Sequence, residues 1–198
     1  REAREQGFHT RPVLLGPVSF LKLGKRKDGG DPLSLLPRLV PVYADLLKRL
    51  AQAGADWVQM DEPCLVLDLT EEEQQAYRFA YDALAAARAP KLMLTTYFGA
   101  LGDNLPTVAA LPVAGVHVDL VRAPEQIGSL VGAIPEDRIL SLGVVDGRNV
   151  WRTDIAPLLD RLEPLAKDNP GRFQLAPSCS LLHVPFDLGL ETGLDPEL

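Results

Sequence analysis

The 198-residue chain is poor in the residues that cross-link chains or bind metals, with two cysteines and three histidines. Cys64 and Cys179 are far apart and neither belongs to a C-x-x-C pair, so neither a disulfide framework nor a zinc ribbon is indicated. Each is better interpreted as a small buried residue. His9, His117 and His183 are too scattered to form a motif, and His117, inside an apolar run, is typical of a core histidine.

Long apolar runs and an excess of positive charge are also missing. Gly, Pro and charged residues interrupt the apolar runs, and the polar N-terminus has no signal-peptide core, so we expect a soluble cytoplasmic protein with no membrane partner. The formal net charge is −7, whereas a nucleic-acid footprint needs a basic face. With 46% hydrophobic residues the chain can bury a core, and we expect one globular unit that acts on small molecules.

Short apolar runs alternate with amphipathic stretches, a pattern that predicts βα units and a parallel sheet. The strand candidates are residues 13–20, 57–61, 92–98, 115–120, 139–145 and 173–178, and the helix candidates are residues 33–53, 70–87, 104–111, 124–133 and 153–167. Pro37 and Pro41 predict that the first regular helix starts near Pro41. Thr70, followed three residues later by Glu73, predicts a capping box at the start of the second.

Six strands are too few for a complete (β/α)8 barrel, which needs eight strands and usually about 250 residues. No helix follows the last strand candidate, and residues 1–7 resemble the end of an earlier helix. We therefore expect an α/β fold of the TIM-barrel type that is incomplete, with residues 1–198 forming one partial domain that holds strands three to eight. A doubly wound open sheet is the alternative, but no Gly-rich phosphate loop follows any strand.

Residues 55–63 are the most informative stretch, because an apolar run there ends in Asp61 and Glu62 and is stopped by Pro63. Both carboxylates should lie at the carboxyl end of a strand, where α/β folds handle ligands. One interpretation is a substrate site. The other is that Asp61 orders a loop by accepting backbone N–H bonds. Farther along, Asp146-Gly147-Arg148-Asn149 is typical of a strand-end turn, with Arg148 free to pair with a carboxylate from a neighbouring loop.

Six short segments carry a family resemblance that covers essentially the whole chain. They are residues 15–20, 57–63, 94–98, 115–120, 146–152 and 178–183. In this order they resemble the cobalamin-independent methionine synthases, and more narrowly the amino-terminal barrel of these two-barrel enzymes. The resemblance implies a parent enzyme that uses zinc to transfer a methyl group from 5-methyltetrahydropteroyl polyglutamate to homocysteine.

In that family the chemistry belongs to the carboxyl-terminal barrel, where His-x-Cys, Glu and Cys hold the zinc. The resemblance places these ligand positions on Thr95, Tyr97, Asp119 and Cys179. Only Asp119 and Cys179 could bind a metal, and two ligands give little affinity. The resemblance therefore implies that the zinc ligands of the parent enzyme lie outside this chain. Asp61 falls where the active barrel holds the amino-acid substrate.

Two functions follow as alternatives. The resemblance implies a non-catalytic domain that contacts the catalytic barrel and helps form an interdomain folate site. The strand-end candidates for substrate contact are Asp61, Glu62, Asp119 and Arg148. A second candidate is the basic cluster of Lys22, Lys25, Arg26 and Lys27. This cluster is either an ordinary solvated loop or a site that attracts the carboxylates of the polyglutamate tail. The alternative is a stand-alone barrel enzyme that uses Asp61, Glu62 and Asp119 for acid–base chemistry.

Overall fold

Six parallel strands form one sheet in the computed structural model, which describes residues 2–87, 90–185, 187–193 and 195. The strands are β1 (Val13–Leu15), β2 (Trp57–Asp61), β3 (Lys91–Thr95), β4 (Gly115–Asp119), β5 (Ile139–Val145) and β6 (Phe173–Pro177). Each strand pairs in parallel with the next one in the chain, which confirms the predicted βα units. The strand order never reverses, so the switch point of a doubly wound sheet is not formed.

A short helix precedes the first strand, and the other helices occupy segments between strands. They are α1 (Glu2–Glu5), α2 (Pro17–Leu23), α3 (Leu36–Gln52), α4 (Glu71–Ala86), α5 (Leu105–Ala110), α6 (Ile127–Ala133) and α7 (Ile155–Asp168). Short 3-10 turns cover Pro32–Leu35, Pro63–Val66, Gly102–Asn104, Pro124–Gln126, Leu181–His183 and Leu188–Leu190. None of the described helices is long and apolar enough to cross a bilayer.

The predicted starts of the first two long helices have different outcomes. The capping box at α4 is confirmed, because Thr70 accepts from the Glu73 N–H and the Glu73 carboxylate accepts from the Thr70 N–H. The predicted start of α3 near Pro41 is wrong, because α3 begins at Leu36 and contains Pro41. Pro37 stands in the first turn, where a backbone N–H has no helical partner, so it is compatible with the helix start.

The first strand candidate, residues 13–20, is mostly not a strand. The ladder ends at Leu15, and Pro17 opens α2, since proline cannot donate to a ladder but is favoured in the first turn of a helix. Lys22 therefore lies on α2 rather than in a loop, and its ammonium forms an ion pair with Glu73.

The two faces of the sheet differ in chemistry. Side chains of alternate strand residues point to opposite faces. One face is apolar and packs against the helices. Its buried strand residues are Val58, Met60, Leu92, Leu94, Val116, Val118, Leu140 and Leu142. They form one core cluster with helix residues that include Leu47, Tyr77, Tyr81, Leu84, Val108 and Leu130. The other face carries a row of polar side chains and borders a cavity. The core therefore lies between the sheet and the helices.

Two arginines that precede strands bind the carboxyl ends of helices. Arg138, just before β5, donates to the carbonyls of Ala109 and Leu111 at 2.9 and 2.7 Å. Arg172, just before β6, is 6% exposed and donates to the carbonyls of Val131 and Ile134. The last carbonyls of a helix have no partner within it, so these guanidinium groups complete α5 and α6 and fasten them to the sheet.

We expect Arg172→Met to lower the free energy of unfolding by about 3 kcal/mol, because it leaves buried carbonyls without donors. Arg38→Met is the matched control, since Arg38 lies exposed on α3 and its loss should change stability by about 0.5 kcal/mol at most. Urea unfolding measures both values. Equal effects of the two substitutions would contradict a capping role for Arg172.

Candidate functional site

A cavity of about 650 Å³ lies against the polar face of the sheet. Asp61, Thr95, His117, Ser141 and Gln174 occupy matching register positions on five successive strands, and all of them line it. Residues in parallel register point to the same face. The sheet therefore brings one polar side chain from each of β2 to β6 into a single row.

His117 is fixed within this row. Its Nδ1 lies 2.9 Å from Ser141 Oγ, and the ring is buried. Burial lowers the pKa of His117, since desolvation disfavours the imidazolium. The histidine is buried as predicted, but it lies on the cavity face of the sheet and not in the apolar core.

The Asp61 carboxylate faces the cavity and accepts from two neutral side chains. Gln59 Nε2 donates to one oxygen at 2.8 Å, and the Tyr97 hydroxyl donates to the other at 3.4 Å. Burial raises the pKa of Asp61, and both hydrogen bonds oppose that rise. The interpretation that Asp61 orders a loop through backbone N–H groups is wrong, because both of its donors are side chains. Asp61 is the one member of the predicted carboxylate pair that reaches the cavity.

Glu62 turns the opposite way and is fully buried among the helices. One oxygen accepts from the Ser19 N–H at 2.7 Å, and the other accepts from the Tyr81 hydroxyl at 3.1 Å and more weakly from the Val18 N–H at 3.4 Å. Burial raises the pKa of Glu62 to about 7, although these donors lower it. The expectation that Glu62 is a substrate contact in the strand-end site is therefore corrected, because its carboxyl group binds the first turn of α2.

The Asp119 carboxylate is also fully engaged, because it accepts hydrogen bonds from backbone N–H groups. Its Oδ1 accepts from the N–H groups of Val121 and Arg122 at 2.9 and 2.8 Å, and its Oδ2 accepts from the Phe98 N–H at 3.0 Å. The side chain is buried at the end of β4. Asp61, Glu62 and Asp119 thus point to three different environments. The set of carboxylates that acid–base chemistry would need is not assembled.

The residues at the family's zinc-ligand positions do not fit a zinc ion. Thr95 Oγ1 is buried without a partner in the described structure, and the Tyr97 hydroxyl donates to Asp61. Burial raises the pKa of the Cys179 thiol, which disfavours the thiolate that binds metals. Across residues 2–87, 90–185, 187–193 and 195, no group of three or more His, Cys, Asp or Glu residues is placed to hold a metal. A site of this composition offers neither the number nor the softness of ligands that zinc requires.

Arg148 does not pair with a carboxylate in the described structure, contrary to the prediction. Its guanidinium lies over the Phe98 ring, 5.1 Å from the centroid. The same ring meets Tyr97 edge-on at 4.6 Å and His183 at 6.0 Å. Phe98 thus connects the loops after β3, β5 and β6. Sequence reasoning missed it, because neither its positive φ of 76° nor its three contacts leave a signal in the local pattern.

The loops that meet at this aromatic cluster also carry exposed apolar side chains. The loops after β3, β5 and β6 carry Phe98, Val150, Trp151, Leu181 and Leu182, all of them exposed. We call these five residues, together with Arg148 and His183, the strand-end surface. A concentration of large apolar groups at one end of a sheet marks an interaction site more often than a solvated face.

The fold and this site define an α/β domain of repeated βα units with a cavity along one face of its parallel sheet. Residues 1–170 match the family model described as "Cobalamin-independent synthase, N-terminal domain". The chain therefore belongs to this family.

Curated relatives with high identity carry one name. The 5-methyltetrahydropteroyltriglutamate–homocysteine methyltransferase of Chelativorans sp. (strain BNC1) is 77% identical over 197 residues, which cover 100% of this chain and 26% of that protein. The protein of the same name from Rhodopseudomonas palustris (strain ATCC BAA-98 / CGA009) is 63% identical over 202 residues, with the same coverage. The chain thus spans about a quarter of the length of these relatives.

Solved structures of lower identity support the fold alone. A B12-independent methionine synthase from Shewanella sp. W3-18-1, in complex with selenomethionine, superposes with a TM-score of 0.73 at 14% identity, over 92% of this chain and 59% of that one. A putative vitamin-B12 independent methionine synthase from Listeria monocytogenes gives a TM-score of 0.71 at 17% identity, over 91% and 60%.

Glu62→Gln should remove a pH dependence of stability. The folded pKa of about 7 lies above the ordinary glutamate value of 4.5, so the folded state binds this proton more tightly than the unfolded state does. The contribution of Glu62 is fully present below pH 4.5 and is lost as the pH rises to about 7, by on the order of 3 kcal/mol. Glutamine mimics the neutral carboxyl group, so the stability of Glu62→Gln relative to wild type should increase over this window.

Denaturant unfolding of both proteins between pH 4.5 and 8 measures that difference. Glu136→Gln serves as the matched control, because Glu136 is exposed in the loop between α6 and β5. A difference between wild type and Glu62→Gln that stays constant with pH would contradict the raised pKa of Glu62.

Proposed function

We propose that this chain is part of a methyltransferase that makes methionine from homocysteine and 5-methyltetrahydropteroyl polyglutamate in the cytoplasm, and that it forms a non-catalytic domain of that enzyme. The family membership and the 77% identical relative support the activity of the whole protein. Residues 1–198 of this chain would form part of the amino-terminal (β/α)8 barrel of that enzyme. The zinc ion of the parent enzyme is held by ligands outside this chain.

One observation carries the proposal of a non-catalytic domain. At the four positions where the active barrel of the family holds its zinc, this chain has a buried threonine, a tyrosine bound to Asp61, an aspartate bound to three backbone N–H groups and one thiol with a raised pKa. Acid–base chemistry has no better support, because Glu62 is buried in the helix layer. We therefore assign this domain a structural role in which the strand-end surface makes the functional contacts.

The two edges of the sheet support completion of the barrel by strands from the rest of the parent protein. Val13 and Leu15 on β1 and Leu175 on β6 are large apolar residues that are exposed here. The polar row of β2 to β6 and its cavity would then lie inside the closed barrel, as expected for inward-facing positions. An edge strand left without a partner invites aggregation, so further strands would also protect the fold.

The strand-end surface is the proposed contact with the catalytic barrel. Leu182 is 92% exposed and Trp151 is 69% exposed, which is costly for side chains of this size unless another surface covers them. About three quarters of the length of the curated relatives lies outside the region that matches this chain. Arg148, placed among these apolar groups, could assist binding of the folate's carboxylates at the domain boundary.

The double substitution Asp61→Asn/Cys179→Ala in the full-length enzyme tests the non-catalytic role. Asparagine keeps one oxygen that accepts from Gln59, and its amide can donate to the Tyr97 hydroxyl oxygen. Alanine fits the space of the buried Cys179, so the variant should fold. We expect turnover per folded molecule to stay within about threefold of wild type and the zinc content to stay unchanged, because neither side chain touches the reaction.

Steady-state turnover, elemental analysis and a melting curve on the same sample decide this point. A folded variant with a loss of turnover by orders of magnitude, or with its zinc gone, would place catalysis in this domain. A lower melting temperature with normal turnover would agree with a structural role.

A further inference from the structure

Phe98 adopts a backbone conformation that phenylalanine normally avoids. Its φ of 76° lies in the left-handed region, and among the described residues it is the only non-glycine with a positive φ. For a residue with a bulky side chain such a conformation costs free energy and persists only where the surroundings impose it. The ring gains little burial in return, because Phe98 remains 40% exposed.

The backbone N–H of Phe98 is bound by Asp119. Its carboxylate is 1% exposed at the end of β4, and its Oδ2 accepts from the Phe98 N–H at 3.0 Å. Its other oxygen is fixed by the N–H groups of Val121 and Arg122. The carboxylate therefore cannot rotate away without leaving backbone donors unpaired, which is costly in a buried place.

The strained residue stands at the centre of the strand-end surface. Its ring carries the Arg148 guanidinium on one side and meets His183 edge-on, so that loops after three strands converge on it. A cation over an aromatic face is held weakly when exposed and more strongly when desolvated. This pair would gain strength when a second surface covers it.

We propose that Asp119 is a positioning residue that holds Phe98 in the left-handed conformation, so that the Phe98 ring and the Arg148 guanidinium on it are presented to the second barrel of the parent enzyme. The proposal rests on the proposed function, which supplies that partner. The matching surface on the second barrel has an apolar patch that receives Phe98 and Trp151, with a carboxylate beside it for Arg148. Strain at functional contacts is retained when the preorganised geometry serves binding.

The test uses the full-length enzyme and two readouts, the melting temperature and the rate at which hydroxyl radicals oxidise Trp151. Trp151 is exposed in this domain, so its oxidation reports whether the strand-end surface is covered. The variants are Phe98→Gly, Phe98→Ala, Asp119→Asn and the double variant Asp119→Asn/Phe98→Ala. Phe79→Ala is the matched control, because Phe79 is 49% exposed on α4, away from the strand ends.

Phe98→Gly should melt at a higher temperature than Phe98→Ala, because glycine accepts a positive φ without strain. Both variants lack the ring, so both should raise the oxidation rate of Trp151 several-fold in the folded enzyme. Asp119→Asn replaces an acceptor oxygen by an amide nitrogen and should raise it to a similar extent. The double variant should show no further increase, since both changes remove the same contact. Phe79→Ala should leave the oxidation rate unchanged.

The possible failures are distinguishable. If Trp151 is protected in wild type and stays protected in both Phe98 variants, the positioning proposal is overturned while the proposed function stands. The same holds if Asp119→Asn folds and leaves Trp151 protected. If Trp151 is oxidised in wild type as fast as in the unfolded enzyme, the proposed docking surface itself is wrong. Should Asp119→Asn fail to fold, the comparison of Phe98→Gly with Phe98→Ala still decides whether the strained aromatic residue contributes to docking.

Discussion

The period of two along each parallel strand, kept in register across six strands, is the constraint on which the rest of the structure depends. It sends Val58 and Met60 into the helix layer and Gln59 and Asp61 to the cavity face. The register is kept from β1 to β6 except for one irregularity in the β5–β6 pair between Gly143 and Val145. One apolar layer and one polar row therefore form together. A slip of one residue in any strand would exchange the two faces.

The two adjacent carboxylates at the end of β2 show how this constraint places neighbouring residues on opposite faces of the sheet. Asp61 continues the polar row, whereas the Glu62 carboxyl group binds the first turn of α2. Gly16, which joins β1 to α2, is required there, because a Cβ atom on it would lie 2.1 Å from Glu62 Oε1. Glu62 is therefore a buried brace between two βα units. The adjacent carboxylates that suggest a catalytic pair belong to different layers of the molecule.

Much of the fold was predictable from the sequence, because apolar runs of strand length and helical periodicity are local signals. The capping box of Thr70 and Glu73 is of this kind. Features set by distant residues were not predictable. The change from strand to helix within residues 13–20 is different, because Pro17 is a local signal that the predicted strand did not take into account. The direction of Glu62 and the strain at Phe98 depend on partners 43 and 21 residues away in the chain.

We propose that this domain holds no catalytic metal and that the chemistry takes place in the rest of the parent enzyme. Anomalous diffraction at the zinc absorption edge, on crystals of the full-length enzyme, locates the metal directly. The account predicts a strong anomalous peak for a zinc ion that has no ligand atom from this domain. A peak at the bonding distance of about 2.3 Å from Cys179 Sγ, with Asp119 turned toward it, would contradict the account.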